Sequence, residues 1–196
     1  AFIEVETLKR FTPELDSCVP SITDLTAISQ YMAEAERPVI LAGNGIRLAG
    51  AQEIFPDFVK RHNIPVVSTF LGVDLIPSDD PLNIGRVGIK GTRAGNFAMQ
   101  NADLILAIGT RLGVPVTGYR YELFAREAKL VVVDIDKLEH QKNTVRVDHL
   151  AVCDAKEFLE RFNFPAASPM WASKCLQWKN QWPVTTKEHF ENDEDG

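Results

Sequence analysis

Thr92-Arg-Ala-Gly-Asn-Phe-Ala-Met-Gln-Asn-Ala-Asp-Leu-Ile-Leu-Ala-Ile-Gly-Thr-Arg111 is a helical pattern that runs directly into a short apolar run and then a glycine. Ala94, Phe97 and Ala98 recur at helical spacing, which predicts a helix over 92–101 with those three side chains facing inward. Leu104-Ile-Leu-Ala-Ile108 is continuous and apolar, the pattern of a strand buried on both faces of a parallel sheet. Working outward, the same unit recurs. Ser21 opens a helical pattern predicted to reach Arg37, and Pro38-Val-Ile-Leu-Ala42 follows, ending in Gly43-Asn44-Gly45. A second helix is predicted over 50–62, with Pro56 tolerable only in its first turn, before a strand at 65–68. Further strands are read at 130–134 and 150–153, with Asp154 capping a helix to Phe162. Residues 70–91, dense in Pro and Gly without a sustained period, read as a long loop. Trp171, Leu176 and Trp178 suggest a last amphipathic helix docked on the body. Strands alternating with helices predict an α/β fold, three layers α/β/α, with a Rossmann-like, mostly parallel sheet of about six strands.

Composition narrows the function classes. The 196 residues carry 21 Lys+Arg and 27 Asp+Glu, a net charge of −6, with 45 % hydrophobic and 24 % charged residues. Those proportions exclude intrinsic disorder. An acidic chain with no Lys/Arg cluster lacks the footprint of a nucleic-acid binder. No apolar run approaches the roughly 20 residues that span a bilayer, so no membrane association is expected. Cys18, Cys153 and Cys175 form no Cys-x-x-Cys pair, which points to a reducing cytoplasm and to no metal site. The opening Ala-Phe-Ile-Glu-Val-Glu and the acidic Glu191-Asn-Asp-Glu-Asp-Gly196 both read as cuts in a longer chain.

In an open α/β sheet ligands sit beyond the carboxyl ends of the strands, so residues following strands are the candidate site. Gly43, Asn44 and Gly45 form a turn that lets backbone approach a phosphate or a ring, or simply joins strand to helix. It is not the full dinucleotide fingerprint, since Leu48 stands where the third glycine belongs. Gly109 with Arg111 offers a guanidinium for a carboxylate or phosphate, or for a salt bridge to a neighbouring loop. Asp134 and Asp136 suit ribose hydroxyls, and Asp136 suits equally the cap of a short helix. Gly85, Gly88 and Gly91, with Lys90 beside them, form either an anion cradle or a flexible loop. His62, His140, His149 and His189 match no metal motif and are read as solvated surface residues. No catalytic constellation emerges.

In order, Arg37–Gly45, Val87–Arg111, Val133-Asp-Ile-Asp136 and Cys153-Asp-Ala155 resemble the central domain of thiamine-diphosphate-dependent enzymes of the acetolactate synthase group. The resemblance covers roughly 37–162 and implies a division into three parts. Residues 1–20 would end an upstream pyrimidine-binding domain, which Phe2-Ile-Glu-Val resembles. Residues 21–165 would be the central domain. Residues 166–196, with Trp178-Lys179 and Trp182-Pro183, would lead to a diphosphate-binding domain. Thiamine diphosphate and magnesium would bind in those neighbouring domains, and no Gly-Asp-Gly metal motif occurs here. The implied activity is decarboxylation or carboligation of a 2-keto acid in a homodimer or homotetramer, with this piece inactive alone. The resemblance also implies FAD or ADP in the central domain, at Gly43, Asn44, Gly45, Ile89, Lys90, Gly91, Gly109, Arg111, Asp134, Asp136, Asp154 and Ala155. Where the family writes Phe-Asp-Asp-Arg-Val-Thr-Gly after Gly-x-Arg, this chain reads Leu112-Gly-Val-Pro-Val-Thr-Gly118, and Lys90 replaces the usual His. A stand-alone nucleotide-binding module and a structural spacer with empty glycine turns remain the other two readings.

Overall fold

A computed structural model describes residues 18–186. Helix α1 (Ile22–Glu34) is capped by Ser21, whose hydroxyl accepts the Asp24 N–H. It ends three residues before Arg37, because 36–37 turn to donate their N–H groups to the Asp103 carboxylate. Strand β1 (Pro38–Ala42) is buried at every position. A four-residue helix α2 (Gly45–Leu48) follows, and α3 (Phe55–His62) begins later than the predicted 50, with Pro56 in its first turn. Strand β2 (Val66–Ser68) leads through a 3₁₀ turn (Phe70–Gly72) to β3 (Asn83–Arg86). The expected long loop therefore contains a strand. Glycine and Asn in β3 hid it, because only Ile84 and its flank Val87 read as strand formers.

Thr92 caps α4 (Arg93–Asn101) through the Gly95 N–H, and β4 (Leu104–Ile108) follows as expected. Then come α5 (Val114–Thr117), β5 (Lys129–Asp134), β6 (His149–Val152), α6 (Ala155–Arg161) capped by Asp154, and α7 (Pro169–Gln181). The six strands are all parallel, in the order β3-β2-β1-β4-β5-β6. The chain reverses direction across the sheet between β1 and β4. With every strand parallel, all turns that follow strands lie along one carboxyl edge.

Strand alternation assigns the two faces. Ile40, Ala42, Leu106 and Val133 pack with α1, α3 and α6, through Ile28, Phe58 and Phe158 among others. Val39, Leu41, Ile105 and Val132 pack with α4 and α7, through Ala98, Met99, Trp171 and Cys175. The last helix docks as expected, but Cys175 rather than Leu176 enters the core, and the Trp171 indole N–H donates to the Pro38 carbonyl at 3.1 Å. Phe97 does not face the core. It is 41 % exposed and stacks on Trp182 at 4.9 Å, because α7 continues over α4 and offers aromatic cover on the outer side.

The histidine expectation is corrected as well. His62 is fully buried, stacked 4.0 Å from Phe164, with its Nδ1 2.9 Å from the Phe164 carbonyl. Its Nε2 has no hydrogen-bond partner among the described residues. Burial lowers its pKa below the ordinary value of 6.5. The His140 ring is also buried, 3.4 Å from the Asp134 carboxylate, and His149 is paired to Asp24 at 3.0 Å. The Phe2-Ile-Glu-Val stretch that resembles an upstream domain and His189 lie outside the described residues.

Candidate functional site

The two glycine turns at the reversal point are joined to each other. The Gly43 N–H donates to the Ile108 carbonyl and the Gly45 N–H to the Gly109 carbonyl, each at 2.9 Å. Gly109 has φ +60°, and a Cβ on Gly43 would stand 2.1 Å from the Gly109 oxygen. Glycine is needed here for backbone contact between β1 and β4. The N–H groups of Gly43, Gly45 and Gly109 are consumed in such contacts, so these three glycines offer no donor to an anion, which surrounding side chains could hold instead.

Those side chains line a cleft of about 880 Å³ over the carboxyl ends of β1 to β4. Its floor is Asn44, Gly109 and Thr110. One wall is Phe70 and Leu71, after β2. A second stretch of the lining runs from Ile89 to Val114, Pro115, Val116 and Tyr119. Arg47 fixes the first wall, since its guanidinium bonds the Asn44 side chain, the Leu71 carbonyl and the Asp74 carboxylate. Asn96, on α4, fixes the second: its amide accepts from the Gly88 N–H and donates to the Gly88 carbonyl, and the Ile89 N–H donates to Pro115. Arg86, Lys90 and Arg111 all line the space, and no Asp or Glu does. In a chain of net charge −6 that local balance is reversed. Apolar walls with three cations and no acid suit a ligand that joins a ring to an anion.

Residues 25–162 match the family model described as thiamine pyrophosphate enzyme, central domain. The chain belongs to that family. This central domain is 46 % identical over 132 residues to the probable acetolactate synthase large subunit of Methanocaldococcus jannaschii, covering 67 % of this chain and 22 % of the relative. It is 40 % identical over 145 residues to the probable acetolactate synthase 2, chloroplastic, of Oryza sativa subsp. japonica, covering 74 % and 21 %. Against acetolactate synthase 3, chloroplastic, of Brassica napus it is 34 % identical over 178 residues, 86 % of this chain and 26 % of the relative. The chain thus spans about a fifth to a quarter of the length of these relatives.

The central domain gathers five of the twelve expected site residues in the cleft: Asn44, Ile89, Lys90, Gly109 and Arg111. Gly43 and Gly45 lie under its floor, locked to β4, and Gly91 closes the turn behind Lys90 with its N–H on Gly88. Asp134, Asp136, Asp154 and Ala155 follow β5 and β6 and are not part of its lining. Asp134 accepts the Asp136 N–H at 2.9 Å, and Asp136 accepts from the Leu138 and Glu139 N–H groups in an Asx turn that leads into a 3₁₀ turn (Glu139–Gln141). Asp154 accepts from Lys156 and Glu157, and Ala155 is buried. Arg111 is 3.1 Å from Glu139, whose carboxyl is held below its ordinary pKa by the Lys142 ammonium first and Arg111 after it. Arg86, Phe70 and Tyr119 are among the lining residues that reading by motif passed over. The signal for Arg86 was a lone cation between glycines, Gly85 and Gly88, visible only once β3 is placed. Among the described residues no three His, Cys, Asp or Glu side chains converge as metal ligands, and no helix is long and apolar enough to cross a membrane.

Proposed function

We propose that the carboxyl-edge cleft of this central domain binds a nucleotide, FAD or ADP. The observation that carries this reading is a cleft of about 880 Å³ lined by three cations and no carboxylate, a volume within the roughly 300–1,000 Å³ usual for small-molecule sites. Arg86, Lys90 and Arg111 would hold the phosphates. Phe70, Ile89, Pro115 and Tyr119 would cover a ring, and Thr110 would offer a hydroxyl. Arg47 and Asn96 would keep the two walls apart at a fixed spacing. Asp134, Asp136, Asp154 and Ala155 would contact only a ligand that extends past β4 towards β5.

The whole protein, on this reading, is a thiamine-diphosphate-dependent decarboxylase or carboligase of a 2-keto acid, resembling acetolactate synthase. It would be cytoplasmic, a homodimer or homotetramer, with a pyrimidine- and a diphosphate-binding domain flanking residues 21–165. Thiamine diphosphate with magnesium supplies the electron sink for such a decarboxylation. On this reading the site for that pair belongs to the neighbouring domains, and this chain alone is expected to be inactive. The shared ancestry with the acetolactate synthases and the chain's fifth to a quarter of their length support this assignment.

Thermal unfolding of the chain with ADP and with FAD tests the binding. Either ligand at a hundred times its dissociation constant should stabilise by about 2.7 kcal/mol. No shift with either, together with no flavin absorption in the purified protein, would return the domain to a structural spacer. Pyruvate consumption by the full-length protein, with thiamine diphosphate and magnesium present, tests the activity.

A further inference from the structure

We propose that Arg86 is the anchor for a phosphate group of the cleft's ligand, and thus the residue that sets the charge the cleft accepts. The inference rests on the reading of the cleft as a nucleotide site and assigns a position that the glycine and aspartate turns do not supply. Arg86 stands at the carboxyl end of the edge strand β3 and lines the cleft. It is half buried, yet among the described residues no Asp or Glu comes within ion-pair distance of it. Among the described residues the other arginines lacking an acidic partner, Arg61, Arg93 and Arg126, are exposed, where water solvates them. Arg37 and Arg47, half buried like Arg86, are paired to Glu36 and Asp74.

A half-buried guanidinium has given up part of its hydration, and its side-chain N–H groups have no acceptor among the described residues. Its one described contact is the face of Phe70, 5.8 Å from the ring centroid. That ring stiffens the side chain but accepts none of its in-plane donors. A planar fork held on an aromatic face and turned to a cleft is suited to paired oxygens. A carboxylate would supply paired oxygens too. Lys90, four residues on and likewise without an acidic partner among the described residues, adds a second positive charge, while Arg111, also in the lining, is 3.1 Å from the Glu139 carboxylate, which offsets its charge. Two or more positive charges favour a phosphate or diphosphate over a monovalent carboxylate.

Isothermal titration of the 196-residue chain against ADP, adenosine, inorganic pyrophosphate and pyruvate tests the assignment, in the wild type, Arg86→Met and Arg86→Lys. Arg86→Met keeps most of the stem and removes the fork, and Arg86→Lys keeps the charge as a point. Melting temperature controls for folding, and Arg120→Met, paired to Glu122 outside the cleft lining, controls for net charge. Arg86→Met should weaken ADP and pyrophosphate by roughly 10- to 100-fold, in the range of a lost charged hydrogen-bond pair. Adenosine should be unchanged, Arg86→Lys should recover part of the loss, and added salt should weaken the wild type more than the Met variant. If ADP binds and both Arg86 variants match the wild type, the anchor is refuted and the nucleotide reading stands. If pyrophosphate binds through Arg86 but ADP binds no more tightly than pyrophosphate, the anchor stands and the nucleotide reading fails. Arg86-dependent binding of pyruvate without pyrophosphate, or no binding of any probe, overturns the assignment.

Discussion

Gly43→Ala isolates the contact between the two turns at the reversal point. Gly43 is not in the left-handed region, so an alanine there meets no backbone strain of its own. Its whole cost is steric: the new Cβ would lie 2.1 Å from the Gly109 oxygen and 2.6 Å from both the Gly109 carbon and the Thr110 Cβ. Two of these three are backbone atoms of a turn tied to β5 through the Gly109 N–H and the Val133 carbonyl, so no side chain swings away to relieve them. Reaching an ordinary contact requires the turns to part by about 1 Å. That stretches the bonds from Gly43 to Ile108 and from Gly45 to Gly109, both 2.9 Å. Each bond contributes about 1 kcal/mol, and a buried donor left without a partner costs about 1–3 kcal/mol, so the expected loss is about 2–4 kcal/mol. For a chain of this size that is a fall in melting temperature of roughly 6–12 °C at about 3 kcal/mol. Gly50→Ala is the matched control. Gly50 has φ +69° and open space around it, so it carries only the left-handed penalty of about 1–2 kcal/mol. Urea unfolding of both variants gives the comparison. A Gly43→Ala loss no greater than that of Gly50→Ala would refute the picture of two turns in backbone contact.

Two further outcomes follow from buried groups. Because burial lowers the His62 pKa below 6.5, the unfolded chain binds more protons than the folded one as pH falls below that value; stability present above pH 6.5 should decline down to the folded pKa, and His62→Phe should flatten that decline in urea titrations at several pH values. Burial pushes the Cys153 and Cys175 thiols up to about 12, while Cys18 is partly exposed, so a thiol reagent at neutral pH should titrate one cysteine in the folded chain and three in denaturant; rapid reaction of all three in the folded chain would contradict the burial.

The layered architecture was legible because β1, β4 and β5 are continuous apolar runs and the caps Ser21, Thr92 and Asp154 are local signals. Each depends on a few neighbouring residues. β3 was not legible. Asn83-Ile-Gly-Arg86 has one strand former, and it becomes a strand through pairing with β2, a contact of long range in sequence. The inward reading of Phe97 failed for a related reason: its helical spacing is right, but Trp178 and Trp182, some eighty residues later, cover its outer face. His62 was misread because nothing local announces Phe164, which stacks on it. For the cleft, motif reasoning found the turns and missed the cation. Glycines mark where backbone comes close, whereas the burial of Arg86 and its distance from any acid are properties of three loops at once.

The same distinction separates the two halves of the carboxyl edge. The cleft lining above β1 to β4 holds Arg86 and Lys90 without acidic partners among the described residues, with Arg111 paired to Glu139; after β5 and β6 stand acids with local work to do. An oxygen of Asp136 already accepts from the Leu138 and Glu139 N–H groups, the geometry of a turn cap. A cap of this kind is worth about 1 kcal/mol, and it makes a clear test of whether the acid serves the fold or a ligand. Asp136→Ala should lower stability by about that amount in urea and leave ADP affinity within twofold of the wild type. Asp136→Asn retains an acceptor oxygen and should restore most of the stability. Were ADP binding instead to fall tenfold in both variants while stability stayed constant, the ligand would have to reach past β4 onto the β5 turn. The site would then span both halves of the edge, with Asp136 on a ribose hydroxyl rather than on its own backbone.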